Sequence, residues 1–210
     1  MRRVGNDIID LTITAAIGKS RDIRFIKRVF TTYERHCIDA TDTPDTMLWH
    51  LWAAKEATYK AVKKVHPTAN SIPRSYEVHL ETPRSSTAGG HVCSPYGKIA
   101  IQSVTTCYHI HCAALSGDEA NWESVISRVA EISGEEGSRR GESGALRDLL
   151  RRDLSDYLSI PTGDMEIVRR KGPRGLGPPQ VYVRGRPSAI DISLSHDGGY
   201  MAYTFLSQNS

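Results

Sequence analysis

The chain is poor in cysteine: its 210 residues hold four, and none forms a C-x-x-C pair or the spacing of a disulfide framework. Cys37, Cys93, Cys107 and Cys112 therefore read as free thiols of a reducing cytoplasm. Nowhere do about eighteen apolar residues follow one another, which argues against a membrane-spanning helix. The only apolar stretch near the N-terminus contains Asp7 and Asp10, so it does not suit a signal-peptide core. Charge is nearly balanced. Twenty-seven Lys and Arg against 24 Asp and Glu leave +3, too little by itself to argue for nucleic acid and compatible with an acidic partner. The basic runs Arg139-Arg140, Arg151-Arg152 and Arg169-Arg170-Lys171 lack interleaved aromatics, which places nucleic-acid binding low. What is present, 39% hydrophobic and 24% charged residues, suffices for one generous domain or two small ones without crosslinks.

Val4 to Leu11, rich in Ile and Val, predicts a buried strand interrupted by acids. Lys19 to Val29 predicts a helix, and Thr31-Thr32-Tyr33-Glu34 has the capping-box pattern that opens another. The longest helical signal runs from Asp45 to Val65, with Leu48, Leu51, Trp52, Tyr59, Val62 and Val65 at spacings of three and four. Tyr76 to Leu80, Lys98 to Val104 and Tyr108 to Leu115 predict strands around a Gly/Ser/Pro-bearing loop at Thr82 to Pro95. Asn121 to Ile132 and Ala145 to Tyr157 predict helices, separated by the glycine-rich linker Ser133 to Gly144. Strands return at Glu166 to Arg170, Gln180 to Arg184, Ile190 to Ser195 and Tyr200 to Leu206. Both parts end in paired strands, a pattern that suggests a weak internal duplication.

Three segments carry chemistry. An aspartate among apolar residues costs free energy unless it is paired or binds a cation, and Asp7 stands in that position. Asp10 better suits a turn or cap. Trp52, Glu56 and Lys60 lie one turn apart on a single helix face, flanked by Ala53, Ala54, Ala57 and Ala61. Small residues there suggest that a neighbouring element or ligand packs closely; the alternative is an ordinary salt bridge on a solvated face. Ser193-Leu194-Ser195-His196 ends an alternating strand just before Gly198-Gly199, where a histidine can approach a ligand or merely sit in a hairpin turn. His109, His111 and Cys112 raise a metal-binding reading: the two histidines alternate on a strand and could share a metal, but further ligands at suitable spacing are not evident.

In combination, Gly5-Asn6-Asp7, Trp52-Ala53-Ala54-Lys55-Glu56-Ala57-Thr58-Tyr59-Lys60 and Ser193-Leu194-Ser195-His196 resemble the 4′-phosphopantetheinyl transferase superfamily, whose signature joins G-x-D, W-x-x-K-E-[AS]-x-x-K and S-x-S-H. The interval between Asp7 and Glu56 is near the family's usual spacing. Arg24 to Thr31 also resembles the arginine-bearing helix of the short holo-acyl-carrier-protein synthases. The resemblance covers roughly residues 4 to 65 and 177 to 206. It implies an α+β fold of two similar halves forming a pseudo-dimer: residues 1–117 with the metal-binding motifs, 118–144 as helix and flexible linker, and 145–210 with the Ser-His segment. Short synthases are trimers with one copy of each motif per chain. The long class carries S-H first and W-x-x-K-E second, an order reversed here, so the chain resembles either a permuted pseudo-dimer or a short synthase with an insertion. The long class also has a G-K-P segment, for which this chain offers Gly177-Pro178-Pro179 without the lysine.

The resemblance implies an enzyme that moves phosphopantetheine from coenzyme A to a serine of an acyl, polyketide or peptidyl carrier protein, with Mg²⁺ as cofactor and 3′,5′-ADP as by-product. A relative that binds coenzyme A or a carrier protein without transfer is the alternative. Asp7 and Glu56 are the expected metal ligands. Lys60 is placed to neutralise or protonate the leaving group, and either Glu56 or a metal-bound water is the general base. Ser195 and His196 are expected on coenzyme A phosphate, with the missing cation supplied from among Lys171, Arg174, Arg184 and Arg186. Arg21, Arg24 and Arg28 recur at helical spacing as a stripe that could dock an acidic carrier protein or simply face solvent. A monomer, no nucleic acid and no membrane complete the expectation.

Overall fold

The first strand, β1 (Arg3–Asp10), pairs antiparallel with β5 (His109–Ser116) and forms one edge of a five-stranded sheet in the order β1-β5-β4-β3-β2. The other members are β2 (Glu77–Leu80), β3 (Thr87–Ser94) and β4 (Gly97–Thr105). Three helices precede them: α1 (Ile23–Val29), α2 (Thr32–Asp39) and the 22-residue α3 (Pro44–Val65). The computed structural model describes residues 2–81, 86–117, 121–132, 139–172 and 175–207.

α3 lies across β1 and β5 at very short range, and its sequence explains why it can. Ala53, Ala54, Ala57 and Ala61 are fully buried, while Gly5 of β1 has no side chain to hold the helix away. A Cβ at Gly5 would stand 1.8 Å from the Ala57 carbonyl oxygen. The small-residue face thus receives a neighbouring strand. Around it Phe30, Leu48, Leu51, Val78, Val92, Ile101 and Ile110 fill the first core.

The capping box at Thr31 forms as its pattern predicts, and its glutamate does more than cap. Glu34 is completely buried and pairs with Lys55 of α3 at 2.7 Å. Lys55 also donates to the carbonyls of Pro73 and Tyr76, and Glu34 accepts from the Val78 amide. Burial lowers the Lys55 pKa and Glu34 opposes that shift. The lysine of the W-x-x-K-E segment is therefore a structural clamp between α2, α3 and β2. Glu34→Ala would leave its ammonium buried and unpaired, and we expect a loss of about 3–5 kcal/mol in denaturant unfolding.

The remainder of the chain builds a second core on two three-stranded sheets, β10-β11-β6 and β7-β8-β9. These contain β6 (Val125–Glu131), β7 (Met165–Gly172), β8 (Gly175–Val183), β9 (Arg186–Pro187), β10 (Ile192–Asp197) and β11 (Tyr200–Leu206). α4 (Arg139–Leu158) packs on them through Leu146, Leu149, Leu150 and Leu154 against Ile167, Val181, Ile192 and Phe205. Each part of the chain thus opens on a strand that pairs antiparallel with its own last strand, β1 with β5 and β6 with β11. Helix and sheet content make the fold α+β.

Several local expectations change. The segment predicted helical at 121–132 holds β6, because Val125, Ile126 and Val129 gain more by pairing with β11 than their helical spacing offers. The loop expected at 82–95 holds β3 from Thr87 onward, with residues 82–85 outside the described set. Of the linker at 133–144, residues 133–138 lie outside the described residues and the rest begins α4, which therefore includes Gly141 and Gly144. Lys19 to Val29 divides into a 3₁₀ turn (Lys19–Arg21) and α1, because the Asp22 side chain caps the new helix at the Phe25 amide.

Candidate active site

As an edge strand, β1 turns the amides of Val4, Asn6, Ile8 and Asp10 away from β5, and all four are met by side chains of one segment. They donate to Asp191 (2.7 Å), Ser193 (2.9 Å), Ser195 (3.3 Å) and Asp197 (2.9 Å). Alternate residues of Asp191-Ile192-Ser193-Leu194-Ser195-His196-Asp197 therefore cap an unpaired strand edge. Lys64 and Lys60 of α3 take the carbonyls of Val4 and Asn6 at 2.6 and 2.8 Å. This seam joins the two cores, and the candidate site sits on it.

Asp7 projects from β1 toward the C-terminal part of α3. Its Oδ1 accepts from Lys60 Nζ at 2.7 Å and from the Ser195 hydroxyl at 2.8 Å, and Lys60 also reaches Ser195 Oγ at 3.2 Å. Glu56, one turn before Lys60, has its pKa raised by burial and by the negative charge of Asp7, against the opposing charge of Lys60. Two carboxylates that repel one another, with Lys60 bonded to Asp7, make a donor set suited to a hard divalent cation such as Mg²⁺. Asp10 has the turn role expected of it. It accepts from the Thr12 amide and hydroxyl and from the Gly199 amide, which ties the end of β1 to the β10–β11 turn.

Lys60 also lines a cleft of about 1090 Å³. One wall is the end of α3, with Tyr59, Lys60, Lys63 and Lys64; the others are α4, the β7–β8 hairpin and β10. Arg147, Arg169, Arg170, Lys171 and His196 add to the cationic lining, and Gly177-Pro178-Pro179 forms part of the rim. Several of these side chains are braced by the protein itself. Arg169 donates to the Gly177 carbonyl, Arg170 stacks over Tyr182, and Lys64 is held by Asp191. A cleft lined with cations, one of which, Lys60, is bonded to Asp7, suits a polyanion carrying phosphates.

Over residues 3–103 the chain matches the family model of the 4′-phosphopantetheinyl transferase superfamily. The match includes the motifs at Gly5-Asn6-Asp7 and Trp52 to Lys60 and does not extend to Ser193-Leu194-Ser195-His196. Thermotoga maritima holo-[acyl-carrier-protein] synthase is a similar solved structure, with 14% identity and a TM-score of 0.40 over 89% of this chain and 86% of that one. No curated protein matches the chain in sequence.

Within the superfamily's motifs, Asp7, Glu56 and Lys60 come together as their spacing implies. Ser195 and His196 turn to opposite faces of β10, as neighbours on a strand do. Ser195 turns to Asp7 and Lys60, while His196 faces the cleft with its Nδ1 3.3 Å from Glu142 of α4. Of the expected cations, Lys171 lines the cleft, Arg184 pairs with Asp164 instead, and Arg186 sits exposed on β9. Arg174 lies outside the described residues. Lys63, Lys64 and Arg147 were missed. Helical spacing from Lys60 could have pointed to the first two, whereas Arg147 depends on how α4 docks. Arg24 and Arg28 lie on α1, but Arg21 belongs to the preceding 3₁₀ turn, so the stripe spans two elements. His111 is buried beside Asn6, and burial lowers its pKa to about 4.

Proposed function

We propose that the chain transfers the 4′-phosphopantetheine group of coenzyme A to a serine of an apo carrier protein, releasing 3′,5′-ADP. The observation that carries this reading is the cationic cleft whose lining residue Lys60 is bonded to Asp7. Arg147, Arg169, Arg170, Lys171 and His196 are suited to the phosphates of coenzyme A. Asp7 and Glu56 are the proposed ligands of Mg²⁺, which when bound would supply Lewis-acid stabilisation of charge on the departing nucleotide. Lys60, anchored on Asn6 and Asp7, places a fixed positive charge beside the same bond. The serine oxygen of the carrier attacks the β-phosphorus, the bond to the bridging pyrophosphate oxygen breaks, and that oxygen leaves with 3′,5′-ADP. Glu56 is the chain's own candidate to receive the serine proton, a metal-bound water being the alternative. Ser195 positions Asp7 and Lys60 in this scheme.

The exposed Arg24 and Arg28 beside Ile17 and Ile23, which are 69% and 64% exposed, suit a small acidic carrier with an apolar contact. Arg24→Glu and Arg28→Glu should each raise KM for the carrier about tenfold and leave KM for coenzyme A unchanged. Steady-state kinetics with each substrate varied in turn would check this, and two unchanged carrier constants would remove the stripe from the site.

Among the described residues no helix is long and apolar enough to cross a membrane, and all four cysteines are free thiols. A cytoplasmic monomer built of two halves is the form we propose. The deciding experiment incubates the protein with Mg²⁺, coenzyme A and a panel of apo acyl, polyketide and peptidyl carriers, then reads intact masses. Addition of one phosphopantetheine to any carrier supports the proposal. A panel without modification, but with coenzyme A bound, would point to the silent relative instead.

A further inference from the structure

At the far edge of the five-stranded sheet from Asp7, β2 and β3 form a hairpin whose two faces differ sharply. Val78 and Val92 turn inward and are fully buried. The opposite face carries Glu77 and His79 on β2, set against Cys93 and His91 on β3 in direct antiparallel register. Ligand atoms of His79, His91 and Cys93 all lie within 4.8 Å of one another. The two imidazoles stack at 5.0 Å with an interplanar angle of 13°. Tyr33 of α2 stacks on His79 at 4.8 Å, and Glu77 Oε1 is 3.1 Å from His79 Nε2.

We propose that this cluster is a site for a borderline-soft divalent cation, with Zn²⁺ as the best fit. His79, His91 and Cys93 are its ligands, and Glu77 orients the His79 ring. Two imidazoles and a thiolate exclude Mg²⁺ by ligand chemistry, so the site is chemically separate from Asp7 and Glu56. Bonds of about 2.0–2.3 Å to a tetrahedral ion put neighbouring ligand atoms roughly 3.3–3.8 Å apart. The strand pair already holds the three ligand atoms within 4.8 Å of one another, in register on one face. The carboxylate on His79 Nε2 leaves the other ring nitrogen for the ion, an arrangement that also raises ligand basicity. Bound there, the cation ties the edge strand β2 to β3.

The test reads binding without the transfer reaction, so it is independent of the proposed activity. Chelator-stripped protein in saturating Mg²⁺ is titrated with Co²⁺. The expected result is one equivalent bound, with tetrahedral visible bands and a near-ultraviolet thiolate-to-cobalt charge-transfer band, all displaced by Zn²⁺. Cys93→Ser should abolish the charge-transfer band; Cys93 is exposed, so this variant keeps its fold. His79→Ala with His91→Ala should lose the bound equivalent, and Glu77→Gln should weaken affinity roughly 10–100-fold. Wild-type protein without a charge-transfer band would overturn the site, leaving an aromatic stack at a sheet edge. A band unchanged in Cys93→Ser would assign the thiol to another cysteine and overturn it equally.

Discussion

Glu56→Gln is expected to lower the rate of phosphopantetheine transfer by roughly 10²–10³-fold, equivalent to about 3–4 kcal/mol of transition-state stabilisation. Glutamine keeps the shape and the helix but removes one of two charges proposed to hold the cation, as well as the proposed base. The same change separates a chemical role from a structural one through pH. Burial and Asp7 raise the Glu56 pKa in the folded chain above its ordinary value of 4.5. Between those two values the native state binds more protons than the unfolded state, so metal-free stability falls as pH rises through that interval. An uncharged amide at this position carries no such penalty. The metal-free variant should therefore melt above wild type at neutral pH, with the gap closing as pH falls below the ordinary carboxylate range. Mg²⁺ should raise the melting temperature of wild type more than that of the variant. Differential scanning fluorimetry across pH, with and without Mg²⁺, checks all three. A variant that is less stable than wild type at neutral pH and transfers at the wild-type rate would remove Glu56 from the site.

Gly5→Ala is expected to destabilise the protein by more than about 4 kcal/mol, beyond the usual range for one added methyl. The added carbon would meet the Ala57 carbonyl oxygen at 1.8 Å and the Ala61 amide nitrogen at 2.8 Å, and both belong to helix backbone that no rotamer change can move. α3 would have to lift from β1, carrying Glu56 and Lys60 away from Asp7 and breaking the bond from Lys60 to the Asn6 carbonyl. Chemical denaturation should show the lost stability, and any folded fraction should lose transfer as well. Ala57→Gly in the same chain leaves the carbonyl in place and should not rescue it. Wild-type stability in Gly5→Ala would mean that α3 does not rest on β1 as described. The glycine of G-x-D thus acts through packing, two residues from the aspartate it serves.

The signals that survived the passage from sequence to structure were local. Helical spacing put Trp52, Glu56 and Lys60 on one face, the capping box opened α2, and the alanines foretold a close neighbour, because 3.6-residue periodicity and capping depend only on nearby residues. The family match over residues 3–103 covers that same region. The readings that changed depended on distant partners. β6 is a strand because β11 lies beside it, and β3 arises from pairing with β2 and β4 within a segment whose glycines and serines suggest a loop. Ser195 accepts from the Ile8 amide because β10 runs along an edge of β1 that needed hydrogen-bond acceptors. The composition of the motifs was thus legible in the chain itself. Only tertiary structure decided which of their side chains face the cleft, which cap a strand edge, and which residues of a hairpin gather two imidazoles and a thiol. Those outcomes follow from pairings between residues far apart in sequence, which local periodicity does not encode.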